Sequence, residues 1–453
     1  MIVKAARVPG RRMPGRRTRP LREDAVLQAC LQAYARIRRD RWLADRALDV
    51  TLREKRALFS HERREVANRI YALLRHQITV DFALAGTVSG FETRSSSDQD
   101  LLRLCAARVL EGAPLDAVAR SARLPASDAA VIEGLPRATQ AMDGWDLALR
   151  LSIGGSMPDL LVERFIREFG DEAQPLVDSL NQRAPLTIRA NTLKTGRDRL
   201  SSVLKREGVA TRHARLSELA LILEDRPNAF GLQAFREGLF EIQDEGSQLL
   251  GMLVDAPPKL IVDACAGTGG KALQLAAQMN NRGEIHALDI HADRLDQLKK
   301  RARRAGAHNI RTRLLSPDGT DPPSDLVARA DRVLIDAPCS GTGTYRRKPD
   351  ARYRLTIDEI EMHRMRQMRL LEQFAPLVKP NGRLIYGTCS LLRDENGSVV
   401  EWFLRENANF SLLEPEAILR ETLARQVSRG GYLQLFPHVH GTDGFFGAVL
   451  RRG

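Results

Sequence analysis

Long apolar runs are missing from this 453-residue chain. No stretch of 18 apolar residues occurs, which excludes an ordinary membrane-spanning helix. Cysteine is scarce. Cys30, Cys105, Cys265, Cys339 and Cys389 lie far apart with no C-x-x-C pair. Neither a disulfide scaffold nor a zinc ribbon is expected, no metal ligands are assigned, and a reducing compartment such as the cytoplasm fits. Acid is absent from residues 1–22, which hold Lys4 and seven arginines and contribute much of the net charge of +13. That segment reads as a flexible basic arm, either solvated or set against a polyanion. No apolar segment follows Arg16-Arg17, so a secretory or twin-arginine signal is not expected; a mitochondrial presequence stays open. Internal repeats and long low-complexity segments are also lacking. The length suits two to four domains of about 100–200 residues each.

Three patterns follow the arm. Residues 23–150 read as helical. Leu27, Leu31, Tyr34 and Ile37 recur at helical steps, as do Val66, Ile70, Leu73 and Leu74 behind Ser60, a candidate N-cap. A further helix is expected from near Gln99 to Leu110, closed by Gly112, with Pro125 and Pro136 punctuating the remainder. Cys30 and Cys105 sit on these apolar stripes and read as small hydrophobes. Residues 151–256 place a helix after Pro158, a second helical stretch at 196–207, and strand-like runs at 185–193, 218–223 and 238–243, which suggests a small α+β module. From 257 to 453, short β-branched runs (260–264, 284–290, 310–315, 332–338 and 382–388) alternate with helical stretches. This predicts a doubly wound parallel sheet with strands buried on both faces. Two further strands are expected near the end.

Chemistry-bearing strings cluster in this last region. Asp263-Ala264-Cys265-Ala266-Gly267-Thr268-Gly269-Gly270-Lys271 joins a strand to a helix, so glycines admit a ligand to the backbone and to free N–H groups. Asp289 ends the next strand, where an acid can accept from two ribose hydroxyls. The loop alone fits a loose NAD fingerprint as well as an S-adenosylmethionine loop; Asp263, able to approach a cationic amine, favours the latter. A phosphate-binding ATP loop is excluded, because Cys265 and Ala272 occupy its defining positions. Asp336-Ala337-Pro338-Cys339-Ser340-Gly341-Thr342-Gly343 closes the fourth strand. A given four-residue string arises by chance about 0.003 times in such a chain, so this one is a strong signal. Thr388-Cys389-Ser390 closes the fifth. Two cysteines at neighbouring strand ends, without metal-ligating company, point to thiol chemistry.

In this order, CAGTGGK, Asp289, DAPCSGTG and TCS resemble the Nop/Sun family of RNA cytosine-C5 methyltransferases. TDGFFGAVLRR (442–452) resembles the family's last motif, and ANTLKT and FEIQDEGSQLL the stretch before its catalytic domain. EVANRIYALLRH resembles the NusB-like domain of the bacterial, RsmB-like branch. The resemblance covers residues 24–452. Two departures, Gly267-Thr268 in place of Ala-Pro and Gly387 in place of the commoner Ser, leave the chemistry alone.

The resemblance implies an α/β, Rossmann-like class I methyltransferase sheet over 257–453, a small α+β RNA-binding module over 151–256 and a NusB-like helical bundle over 23–150. It implies S-adenosyl-L-methionine as cofactor, held by Cys265, Ala266, Gly267, Thr268, Gly269, Gly270 and Lys271, with Asp289 on the ribose, Asp318 near the adenine, and Asp336 also in contact. Cys389 would be the nucleophile, Cys339 would assist elimination, and Asp336 would hydrogen-bond the cytosine. RNA is the implied partner: rRNA first, tRNA as the alternative, bound by a cytoplasmic monomer. Arg346, Arg347 and Lys348 are candidate phosphate contacts. Arg189 and Asn191 are either exposed RNA readers or plain solvent-facing strand residues, and the run Lys299–Arg304 either touches RNA or is a solvated helix face. Two other classes compete. A NAD-dependent oxidoreductase needs an acid/base pair that no string supplies. A non-catalytic RNA-binding factor would not need Cys339, Cys389 and Asp336 together.

Overall fold

The computed structural model describes residues 20–88, 90–130, 132–133, 144–316 and 322–453. Most of the basic arm, Pro136 and Asp318 lie outside them. The described residues fall into two compact units, one of those up to 73 with 83–133, and one of 74–82 with those from 144 onward. Residues 74–82 and 144–150, read from the sequence as part of the helical region, thus pack with the second unit.

The first unit is helical. Its helices include Glu23–Arg38, Ala44–Glu54, Ser60–Arg75, Ser96–Leu110 and Leu115–Ala122. The stripe expected on the first is present but rotated: Val26, Leu27, Cys30, Tyr34 and Ile37 are buried, and Leu31 is half-buried. Ser60 begins its helix rather than preceding it. Burial pushes the Cys30 and Cys105 thiols up to about 12, so both stay neutral and act as hydrophobes.

The second unit holds two sheets. Strands β1 (Leu186–Ala190), β2 (Thr211–His213), β3 (Ala220–Leu223) and β4 (Phe240–Ile242) form an antiparallel sheet in the order β2-β3-β1-β4. The helix Arg197–Arg206 buries Leu200 and Leu204 against it, with Ile188, Leu221 and Phe240. The short β2 is largely exposed and has no apolar alternation to betray it.

The larger sheet contains β5 (Leu260–Asp263), β6 (Glu284–Asp289), β7 (Ile310–Leu314), β8 (Ala330–Asp336), β9 (Val378–Thr388), β10 (Phe410–Leu413), β11 (Ser428–Arg429), β12 (Tyr432–Leu435) and β13 (Phe445–Arg452). The order is β11-β12-β13-β9-β8-β5-β6-β7, with β10 also on β13. Strands β5 to β9 pair in parallel, and β13 runs antiparallel to β9. Side chains alternate: Ile261 and Leu334 enter one core with Leu249, Leu273 and Leu298, while Val262 and Val333 enter the other with Leu371, Phe374 and Phe403. Burying each such side chain stabilises the fold by roughly 1.5–3 kcal/mol. One expectation is corrected. The β7 strand is not covered on both faces; it is the sheet's edge, and Arg311 and Leu314 are exposed. Its arginines reflect that edge position.

Candidate active site

Four strand ends converge at one rim. The parallel strands β5, β6, β8 and β9 end at Asp263, Asp289, Asp336 and Thr388. Strand order reverses at β5, which lies between β6 and β8, so a crevice opens there. It is a cavity of about 540 Å³ that takes in the glycine loop, Asp289, Asp336, Cys339 and Cys389.

The loop's shape follows from its glycines. Gly267 has φ +53° and Gly269 φ +87°, values that L side chains rarely adopt. A Cβ on Gly269 would meet the Leu298 side chain at 2.5 Å, so Gly269 packs the loop against the helix Ala292–Ala305. Nothing lies within 4 Å of a Cβ on Gly267 or Gly270. Those two leave the backbone open where the helix Gly270–Gln278 begins, with its unsatisfied N–H groups. Arg301 braces the turn from behind, donating to the Thr268 carbonyl and hydroxyl at 2.8 Å each and pairing with the buried Glu241 at 2.8 Å.

The carboxylates have distinct settings. Asp289 accepts the Gly267 and His291 N–H groups at 2.8 Å, one on each oxygen. Each oxygen keeps a lone pair for a hydroxyl. Asp263 is buried, and neither of its oxygens accepts a well-formed hydrogen bond among the described residues. Burial, then the neighbouring Asp336 carboxylate, push its pKa up to about 7, against the opposing pull of Lys271. An orphaned acid at the floor of an open cavity suits a ligand that brings a cation to it. Lys271 donates to Asp336 Oδ2 at 2.5 Å.

The two thiols touch. Cys339 Sγ and Cys389 Sγ are 3.4 Å apart, on the turns that follow β8 and β9. Their mutual hydrogen bond, then burial, hold the Cys339 thiol well above its ordinary range. A residue missed from the sequence clamps both turns. Glu395 is fully buried; it accepts Ser340 N–H at 2.8 Å, the Ser340 hydroxyl, the Ser390 hydroxyl at 2.5 Å and Gln367 Nε2 at 3.1 Å. It follows Cys389 by six residues, at the end of the 3-10 turn Arg393–Glu395, with no pattern that marks it.

Of the loop residues, Cys265, Ala266, Gly267, Thr268, Gly270 and Lys271 line the cavity, and Gly269 lies behind it. Burial and Asp263 raise the Cys265 thiol, which keeps it inert. The RNA candidates need correction. Arg189 and Asn191 are buried, not exposed. Arg189 donates to Gln243 at 2.6 Å, and Asn191 donates to the Gly238 and Ala305 carbonyls at 2.8 Å each. Both are internal ties. Arg346 is also buried; it donates to Asp443 at 2.6 Å and to the Gly441 carbonyl at 2.8 Å. Arg347 bridges Asp443 and Asp244 at 2.5 and 2.8 Å. These guanidinium groups are spent inside the protein, and only Lys348 is exposed. In the run 299–304, Arg301 and Arg304 pair with Glu241, Lys299 pairs with Asp296, and Lys300 and Arg303 face solvent.

Residues 252–451 match the family model described as 16S rRNA methyltransferase RsmB/F, and residues 157–229 match its RsmF/B-like, ferredoxin-like domain. A probable ribosomal RNA small subunit methyltransferase B of Synechocystis sp. is 32% identical over 437 residues, covering 92% of this chain and 96% of that protein. The similarly described protein of Bacillus subtilis is 34% identical, covering 68% of this chain and 69% of its own length. Among solved structures, a methyltransferase homolog protein from Pyrococcus horikoshii aligns with TM-score 0.58 and 28% identity, over 68% of this chain and 99% of that one.

Proposed function

The chain belongs to the 16S rRNA methyltransferase RsmB/F family, and from that footing we propose that Cys389 bonds covalently to a cytosine of small-subunit rRNA while a methyl group is transferred from S-adenosylmethionine to carbon 5 of that base. The observation that carries the reading is the pair of thiols 3.4 Å apart in the cavity shared with the glycine loop.

The cavity residues fit the cofactor. Asp263 is an orphaned acid for its cationic amine, Asp289 keeps lone pairs for the ribose hydroxyls, and Gly267 and Gly270 leave the backbone open to it. Bound there, S-adenosylmethionine supplies an electrophilic methyl group on a sulfonium. Asp318 would stand near the adenine by family resemblance.

Carbon 5 of cytosine is too weak a nucleophile to act unaided. The Cys389 sulfur adds at carbon 6 as its thiol proton passes to ring nitrogen 3, and electron density moves toward carbon 5. Asp336 accepts from the exocyclic amine and from ring nitrogen 3 once that is protonated, stabilising charge as it moves onto the ring. Lys271 holds Asp336 by Oδ2 and leaves Oδ1 for the base. After methylation, the carbon 5 proton leaves and the Cys389–carbon 6 bond breaks. Cys339 takes that proton as a thiolate, its own proton having passed to solvent, and ring nitrogen 3 returns its proton to the departing Cys389 sulfur. The largest restraint on Cys339 is the hydrogen bond with the Cys389 thiol, and that bond is lost once Cys389 is joined to carbon 6. Losing that bond removes one cause of the raised Cys339 pKa, while burial and Glu395 still oppose ionisation. A cytosine inside a stem must first be flipped out, at a cost of a few kcal/mol.

In the same reading the enzyme works as a cytoplasmic monomer; among the described residues no helix is long and apolar enough to cross a membrane. Tritium transfer from labelled S-adenosylmethionine to unmodified 16S rRNA and to tRNA tests the function, with bisulfite sequencing to locate the base. Label at one 16S cytosine is expected. Label only in tRNA moves the target, and label in no RNA overturns the reading.

A further inference from the structure

The helix Ile357–Phe374 opens on a capping box: Thr356 Oγ1 accepts the Glu359 N–H at 3.2 Å, and Glu359 accepts the Thr356 N–H at 2.9 Å. Its buried face carries Ile360, Gln367, Leu371 and Phe374. Gln367 donates to the Pro338 carbonyl at 3.0 Å, which ties this face to the turn bearing Cys339. At 3.6 residues per turn, Met362, Met365, Arg366, Arg369 and Gln373 form one stripe on the opposite face. Met362 is 59% and Met365 40% exposed, large apolar side chains left in solvent. Arg366, Arg369 and Gln373 line the cavity that holds both thiols, and Arg294 lines it from the segment after Asp289.

The charges on this stripe differ from those of the loop 346–347. Among the described residues Arg294, Arg366 and Arg369 make no ion pair, whereas Arg346 and Arg347 are both spent on Asp443 and Asp244. Unpaired guanidinium groups at a cavity mouth attract an anionic chain. Polarisable thioethers beside them make favourable contacts with aromatic rings such as nucleobases. Single strands are held by a cationic groove together with aromatic side chains on which bases stack; here the two thioethers would take the aromatic side chains' place.

We infer that a single-stranded RNA segment runs along this stripe into the cavity. Phosphates flanking the target cytosine lie on Arg294, Arg366 and Arg369, and the adjoining bases lie on Met362 and Met365. The inference rests on the RNA methyltransferase reading above and names how that substrate is gripped.

The test compares the full-length wild type with an Arg366→Gln/Arg369→Gln variant and a Met362→Ala/Met365→Ala variant. Binding of a single-stranded oligoribonucleotide with one cytosine is measured from low to moderate salt, and S-adenosylmethionine affinity by calorimetry. All four side chains are at the surface, and equal melting temperatures confirm folding. Each phosphate contact on a single strand contributes about 0.7 to the slope of log affinity against log salt, so the arginine variant should lose about 1.4. Its cofactor affinity should stay within about twofold of wild type. The methionine variant should bind several-fold more weakly with the slope unchanged. An unchanged slope in the arginine variant, while the wild type still methylates RNA, overturns the inference and spares the function. A fall in cofactor affinity also overturns it, because the arginines would then serve the cofactor carboxylate. A wild type that methylates no RNA removes the reading beneath it.

Discussion

Glu395 shows how much of this site depends on a single side chain that does no bond-making itself. One carboxylate receives donors from both cysteine-bearing turns and from the helix Ile357–Phe374. Its charge also helps hold the Cys339 proton in place. A hydrogen bond to a charged group is worth about 1.5–3 kcal/mol, which in a transition state is roughly tenfold to a hundredfold in rate. Glu395→Gln should therefore lower kcat by about that factor and leave the cofactor KM alone; a change confined to KM would speak against a positioning role. Asp263 gives a second test. Its folded pKa, about 7, lies above the ordinary 3.8. Ionisation with no ligand cation beside it is thus costly, and stability from this group is present at acid pH and lost as pH rises through about 7. A cation bound beside it favours the ionised form. Cofactor affinity should rise with pH by up to about tenfold per unit below 7 and then level off, with protons released on binding. Asp263→Asn should bind more weakly and flatten that rise; an affinity that falls as pH rises from 5.5 to 7 would remove Asp263 from the site.

At the scale of elements, the glycine loop separates a folding role from a binding role within two adjacent residues. Gly269 needs its positive φ and has Leu298 where a Cβ would go. Gly270 has open space and opens a helix. Gly269→Ala should cost at least about 1–2 kcal/mol from the left-handed backbone alone, seen as a lower melting temperature. Gly270→Ala should hold its melting temperature and still weaken cofactor binding, because only the ligand meets the new methyl. Equal melting temperatures for the two would contradict this division. Such local features are what the sequence makes readable: strand ends, glycine turns and the cysteines after β8 and β9 keep fixed spacing along the chain. What it hid was set by distant pairing. Nothing near Arg189 announces Gln243, and nothing near Arg346 announces Asp443, 97 residues on. Both arginines look free until the fold supplies their partners. The edge position of β7 and the short β2 and β11 were hidden for the same reason, since neighbours in a sheet are chosen by tertiary packing.

Across the second unit, the cluster of Arg346, Arg347, Asp244 and Asp443 joins three distant stretches: the start of the helix Glu245–Leu253, the turn after Cys339 and the approach to β13. Burial and Asp443 push Asp244 up to about 6, so the cations are what keep these acids tolerable inside. Arg346→Ala strands buried charge and should destabilise the protein by about 3–5 kcal/mol, read by denaturant unfolding. A stable Arg346→Ala variant with lower RNA affinity would instead restore Arg346 as an RNA contact. The account as a whole turns on which thiol attacks. Its most direct measurement is a denaturing gel of the Cys339→Ala and Cys389→Ala variants, each incubated with S-adenosylmethionine and unmodified 16S rRNA. The Cys339→Ala variant should methylate the RNA and stay bound to it as a shifted band, while Cys389→Ala should neither methylate nor shift; a shifted band from Cys389→Ala, with none from Cys339→Ala, would contradict the assignment.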